Sequence, residues 1–187
     1  KTVIDAKSSA KYIFEKTNTF KSKMEYPKNP FGKQLKTTAE FINSHIESKV
    51  YYVSMGGFDT HASQATKQAK LLKTYSEAIA VFVEDLKKND TFKDTLIITF
   101  SEFGRRVKQN AGGGTDHGAA NNVFIIGDAL NKKGFYNEMP NLDQLDKNGD
   151  LIHTVDFRSV YATVLDKWLA VDDSKILNKS FNKLHFI

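Results

Sequence analysis

The sequence predicts an α/β domain with a mostly parallel sheet flanked by helices. Three observations predict it. The short runs "VYYVSM" (50–55), "TLIITF" (95–100) and "VFIIG" (123–127) are β-branched or aromatic and free of charge, as strands buried on both faces are. Amphipathic helix patterns stand between and around them. Glycine-marked polar segments, "GGFDTH" and "SEFGRR", follow two of the runs directly, where open parallel sheets carry their sites.

The elements follow in order. Residues 5 to 16 suit a helix with Ala6, Ala10, Ile13 and Phe14 on one side. "EYPKNPFG" (25–32) holds two of the three prolines and reads as a loop or linker. Residues 1–32 are therefore expected to be an N-terminal helix and linker, and 33–187 the main domain. From Lys33 to Glu47 the apolar set Leu35, Ala39, Phe41, Ile42 and Ile46 has helical spacing. The first strand is expected at 50–55, ended by Gly56-Gly57. A long helix follows from Gln64 to Lys88, with Ala65, Ala69, Leu72, Tyr75, Ile79, Phe82, Val83 and Leu86 at three-and-four spacing and Asn89 at its end. Strands at 95–100 and 123–127 flank the glycine-rich "QNAGGGTDHGAANN". Residues 131–153 are polar loop, with a turn at "DKNGD" (146–150). Residues 156–170 form a helix with Val160, Val164, Leu165 and Trp168 inward, and "KLHFI" suggests a last short strand.

Composition bounds the function. Of 187 residues, 40% are apolar and 26% charged, an ordinary globular balance. No unbroken apolar run approaches the ~18 residues of a membrane span, so none is expected. There is no Cys, so any metal must be held by His and carboxylates. The net charge is +5, but the lysines are scattered and form no stripe with interleaved aromatics. Nucleic acid is not an expected partner, although a basic surface can draw an anionic substrate. The chain opens "KTVIDAKSSA", without an initiator Met or a signal-like apolar core, and reads as a mature or truncated product.

Five histidines are present, and only His61 and His117 stand beside an Asp in glycine-flanked loops next to expected strands. His45 is expected on the polar side of a helix, His185 in an apolar terminal strand, and His153 just before a helix. Asp59, His61, Glu102, Asp116 and His117 make three carboxylates and two imidazoles. That mixture suits Zn²⁺, Mn²⁺ or a similar divalent ion. In an extended loop residues i and i+2 point the same way, so Asp59 and His61 can face one ion. Taken alone, Asp59 reads equally as a turn or helix cap. "TDHG" precedes its strand, and the loop 104–115 must carry it back to the same rim.

Arg105 and Arg106 lie beside Glu102, and arginine pairs bidentately with phosphate, sulfate or carboxylate. They read either as anion binders or as a charged helix start. "NAGGGT" is a candidate phosphate-cradling nest, without the Lys-Ser/Thr of a nucleotide loop. Asp156 can cap the helix after it, and Arg158, in its first turn, stands against the helix dipole. Arg158 therefore calls for an acidic partner, Asp59, Asp116 or a surface acid.

"YYVSMGGFDTHASQ", "IITFSEFGRRVKQN", "GGGTDHGAANNVFIIG" and "TVDFRSVYATVLDKWL" together resemble an uncharacterised bacterial family, domain of unknown function fifteen-oh-one, grouped with the alkaline phosphatase and sulfatase superfamily. The resemblance runs from "YPKNPFGKQL" to the C-terminus. It implies an alkaline-phosphatase-like fold of which 33–187 is the C-terminal part, incomplete without an N-terminal part. It also implies a two-metal site. Asp59 and His61 match the first ligand pair, and His117, followed by Gly118, matches the last His. Glu102-Phe103 stands where the superfamily has Asp-His, and Phe103 cannot bind a metal. The alternative alignment puts "TDHG", with Asp116 and His117, on that pair.

What the resemblance implies is a metal-dependent hydrolase of phosphate or sulfate esters. The metal is a divalent ion (Zn, Mn, Mg or Ca), Arg105 and Arg106 are its anion binders, and the substrate is a small anionic ester. It further implies a periplasmic or secreted location. The superfamily's nucleophile has no counterpart in this chain. The alternative is a non-catalytic binding or structural module on a hydrolase-like fold.

Overall fold

A computed structural model describes residues 2–187. The chain forms two compact units, one made of residues up to Asp59 together with Ala65–Thr95, the other of Thr60–Gln64 together with Leu96–Ile187.

The first unit is helical: α1 (Thr2–Thr17), α2 (Pro30–Asn43) and, apart from its first residue, α3 (Gln64–Lys88). Asn29 caps α2 by accepting the Gly32 N–H at 2.8 Å, and Pro30 supplies a first-turn φ at a position whose N–H has no helical partner. Leu35 and Ala39 of α2 and Ala78, Ile79, Phe82 and Leu86 of α3 are buried in the core. The N-terminal half of α3 is different. Leu72, on its expected apolar side, is 51% exposed. On α1, Ile13 and Phe14 are exposed as well.

A polar knot lies inside this core. Asp85 on α3 is 1% exposed, and its Oδ2 accepts from the Ser22 hydroxyl at 2.6 Å and the Tyr26 hydroxyl at 2.8 Å. The Asn89 amide donates to Asp85 Oδ1 at 3.1 Å. A carboxylate this deep is tolerated because its oxygens are met by hydrogen bonds.

The second unit holds β1 (Ile97–Thr99), β2 (Gly104–Arg105), β3 (His117–Gly118), β4 (Phe124–Ile126), α4 (Phe157–Thr163) and α5 (Asp173–Leu177). Residues 164–168 continue α4 as one wider turn, with the Leu169 N–H donating to the Val164 carbonyl. Val160 and Ala162 of α4 are buried, whereas Val164, Leu165 and Trp168 are half-buried.

This architecture corrects the expected one. There is no mostly parallel sheet and no alkaline-phosphatase-like α/β layer among the described residues. The strands form two separate antiparallel pairs, β1 with β4 and β2 with β3. The reason lies in residues 100–123. Parallel neighbours need a crossover, usually helical. This connection instead contains the β2–β3 hairpin, so β4 returns against β1 in the opposite sense, with Ile98 opposite Ile125. The run 50–55 joins no strand pair. It has no regular secondary structure, and in it Tyr51, Val53 and Met55 are half-buried and Val50, Tyr52 and Ser54 are exposed. "KLHFI" forms no strand, and His185 is exposed there. His45 sits just past the end of α2 with φ 51° rather than on the helix. No helix among the described residues is long and apolar enough to cross a membrane.

Candidate metal centre

The site is built on the β2–β3 hairpin. Gly104 pairs with Gly118 and Arg105 with His117, and the Arg106 N–H donates to the Asp116 carbonyl at 3.1 Å. The loop after β2 thus returns, and "TDHG" is brought beside "SEFG". Only glycine fits at the crossing. A Cβ on Gly104 would stand 1.7 Å from the Ala120 carbonyl oxygen, and one on Gly118 2.7 Å from the Arg105 carbonyl carbon.

His61 reaches the hairpin through the glycine-rich loop. The Ser63 and Gln64 N–H groups donate to the Gly112 and Gly113 carbonyls at 3.2 and 3.0 Å, and Ala62 bridges to Gly113. Gly114 passes so close that a Cβ would lie 2.3 Å from the His61 carbonyl carbon. Asn110 ties the loop together. Its Oδ1 accepts from Gly112 and Gly114 N–H at 2.9 and 3.1 Å, and its Nδ2 donates to the His61 carbonyl at 3.0 Å and to Asp116 Oδ1 at 3.4 Å. The three glycine N–H groups of "NAGGGT" are therefore turned inward on Asn110, whose backbone carbonyl takes the Gly113 N–H at 3.2 Å. They do not form the expected phosphate nest.

Asp59 is the residue at which the chain passes from one unit's segment to the other's, two residues before His61. One donor atom each of Asp59, His61 and His117 lies within 4.8 Å of the others, and all three residues are exposed. Ligands ~2.1 Å from a tetrahedral ion stand about 3.4 Å apart. Holding an ion would require the three side chains to move until their donors stand at that spacing and the stacked imidazoles turn their ring edges toward it. One carboxylate and two imidazoles form an N₂O set suited to Zn²⁺ or Mn²⁺, with a fourth position left open.

The remaining expected site residues are not members of this trio. Asp116 Oδ1 is 3.5 Å from His61 Nδ1. Glu102 is exposed and is not part of the group. Phe103 lies flat on His117, and the His117 and His61 rings stack with centroids 5.1 Å apart. The Arg105 guanidinium stands 5.1 Å over the Phe103 ring and donates to the Thr115 carbonyl at 2.7 Å. Arg106 Nε is 3.4 Å from Oδ1 of the buried Asp150.

The family described as Protein of unknown function (DUF1501) matches residues 14–181. The chain belongs to this family. No curated protein and no solved structure matches the chain.

For this family member, sequence reasoning missed Asn110 and undervalued Phe103. Asn110 carried a signal, an Asn just ahead of a glycine run, the composition of an Asx turn. Phe103 carried none, because a lost ligand and a ring support look alike in sequence. Arg158 meets neither Asp59 nor Asp116. It pairs with its own cap, Asp156, at 2.6–3.1 Å, and lies over Phe181 at 4.7 Å. The Arg158 side chain and backbone N–H hydrogen bonds lower the Asp156 carboxyl to about 2.

Proposed function

We infer that the chain binds one divalent ion, Zn²⁺ or Mn²⁺, through Asp59, His61 and His117, and acts as a metal-dependent hydrolase of phosphate or sulfate esters. The single observation that carries this reading is the three-donor group within 4.8 Å. A bound ion would supply Lewis acidity toward an ester oxygen and a more acidic water. Arg105 is the anion holder in this reading. It is the cross-strand neighbour of His117, and its guanidinium rides on Phe103 beside that ring. Arg106 is assigned instead to anchoring the 146–150 turn through Asp150. The reading rests on the donor set and not on the wider alkaline phosphatase and sulfatase superfamily, whose parallel sheet is not formed among the described residues.

The test is zinc and manganese titration of the metal-free chain, followed by turnover of nitrophenyl phosphate mono- and diesters and nitrophenyl sulfate. One ion per chain is expected, lost in His61→Ala combined with His117→Ala. Binding that survives both substitutions overturns the site. A second reading is supported by the exposure of all three donors and by Phe103 packing on His117 where a further ligand is expected. It is a non-catalytic metal-binding module. One ion bound with no turnover of any ester selects it.

A further inference from the structure

The geometry points to Asp116 as a positioning residue for His61 rather than a metal ligand, held in place by Asn110. The inference rests on the metal-site reading above and deepens it.

Asp116 presents one oxygen, Oδ1, to two donors. His61 Nδ1 lies 3.5 Å away and Asn110 Nδ2 3.4 Å away. A carboxylate at Nδ1 keeps the imidazole proton on that nitrogen. The lone pair is then on Nε2, the nitrogen that this tautomer makes able to bind an ion. Asn110 fixes the other side of the arrangement. An amide has two N–H donors and two carbonyl lone pairs. Here the donors go to Asp116 Oδ1 and the His61 carbonyl, and the lone pairs take the Gly112 and Gly114 N–H groups. Turning the amide over would set its NH₂ against two N–H groups, so its orientation is decided by the loop. One side chain thereby holds both the backbone of His61 and the carboxylate that orients its ring. Asp116 is also absent from the trio of mutually close donors, although it directly precedes His117 in the chain.

The experiment uses the metal-free chain first. Long-range ¹H–¹⁵N correlation spectra, assigned with His61→Gln, report which ring nitrogen carries the proton. The expected result is Nδ1–H for His61 in the wild type and in Asp116→Asn, which keeps an acceptor, and a shift toward Nε2–H in Asp116→Ala. Zinc affinity is then expected to fall about 10- to 100-fold in Asp116→Ala, with partial recovery in Asp116→Asn. The cobalt(II) spectrum of Asp116→Asn should keep the wild-type ligand number. Three results would overturn the assignment: Nε2–H in the wild type, zinc binding by Asp116→Ala at wild-type strength, or a cobalt spectrum that loses a ligand in Asp116→Asn. If the wild type takes up no zinc, the metal reading fails by itself. The ring tautomer in the metal-free chain then decides whether Asp116 holds His61.

Discussion

The Phe103 ring lies against His117 with centroids 4.0 Å apart and planes 2° from parallel. The position that cannot donate to a metal therefore sets the plane of a ring that can. The Arg105 guanidinium stands over the same Phe103 ring at 5.1 Å, and the His61 ring stacks with His117.

Removing this support should weaken the ion site without unfolding the chain. Stacked aromatic pairs contribute about 0.5–1.5 kcal/mol beyond their buried area. Phe103→Ala is expected to reduce zinc affinity by a few-fold to about tenfold, and Phe103→Tyr to keep it. Competition against a chromogenic chelator measures both.

Gly114→Ala tests the approach of the glycine-rich loop to His61. The new Cβ would meet three backbone atoms, the His61 carbonyl carbon and oxygen and the Thr60 carbonyl oxygen, at 2.3–2.6 Å. Backbone cannot rotate aside as a side-chain tip can. The expected cost is about 1–3 kcal/mol, read from urea unfolding, together with a loss of zinc affinity. Gly149→Ala, where a Cβ meets nothing within 4 Å but φ is +79°, should show the strain of a left-handed residue and leave zinc affinity unchanged.

Asp85 governs the helical unit. Asp85→Ala strands the buried Ser22 and Tyr26 hydroxyls, at about 1–3 kcal/mol for each unsatisfied group. A loss of about 2–5 kcal/mol is expected in chemical denaturation, against about 1 kcal/mol for Tyr26→Phe. Burial, and then the Asp85 carboxylate it donates to, push the Tyr26 hydroxyl well above its usual range. A raised pKa favours the neutral form in the folded state. The contribution is fully present below the unfolded value of ~10 and is lost as pH rises above it. Wild type and Tyr26→Phe should therefore converge in urea midpoint between about pH 10 and 11.5. Parallel curves through that window would refute the assignment.

The α4 cap gives the opposite sign. Asp156 is held at about 2 by its hydrogen bonds from Arg158, below the ordinary carboxyl value. A lowered pKa means stability present above the unfolded value of ~3.9 and lost as pH falls toward about 2. Asp156→Ala should cost about 1 kcal/mol at neutral pH, the usual cap value. The difference from wild type should shrink steadily from about pH 4 downward in acid titrations of unfolding.

The longer helices were legible because their period is local, whereas the five-residue α5 (Asp173–Leu177) was not expected. The 64–88 pattern matches α3 in full. Which stretch of it is buried depends on what packs there, so Leu72 was misread and Phe82 was not. The sheet was not legible. "VYYVSM" has strand composition and even alternating burial, but pairing is a property of two segments. Strand sense depended on the path of residues 100–123, which no local pattern reports. The site divides in the same way. Spacing and flanking glycines raised Asp59, His61 and His117 as three of five candidates with Glu102 and Asp116, and only the family resemblance singled the trio out. Asp116 against Nδ1, Phe103 beneath His117 and Asn110 beneath both depend on ring planes and loop closure.

A run of three glycines suggests slack, yet each N–H from Gly112 to Gly114 is committed to Asn110, and two of the run's carbonyls receive the chain after His61. Such a loop acts as a gauge. Its length, more than its composition, sets where His61 stands against the hairpin. One added glycine would slip the Ala62–Gly113 bridge by a residue and turn the imidazole toward the opposite side, while every side chain of the site remained in the sequence.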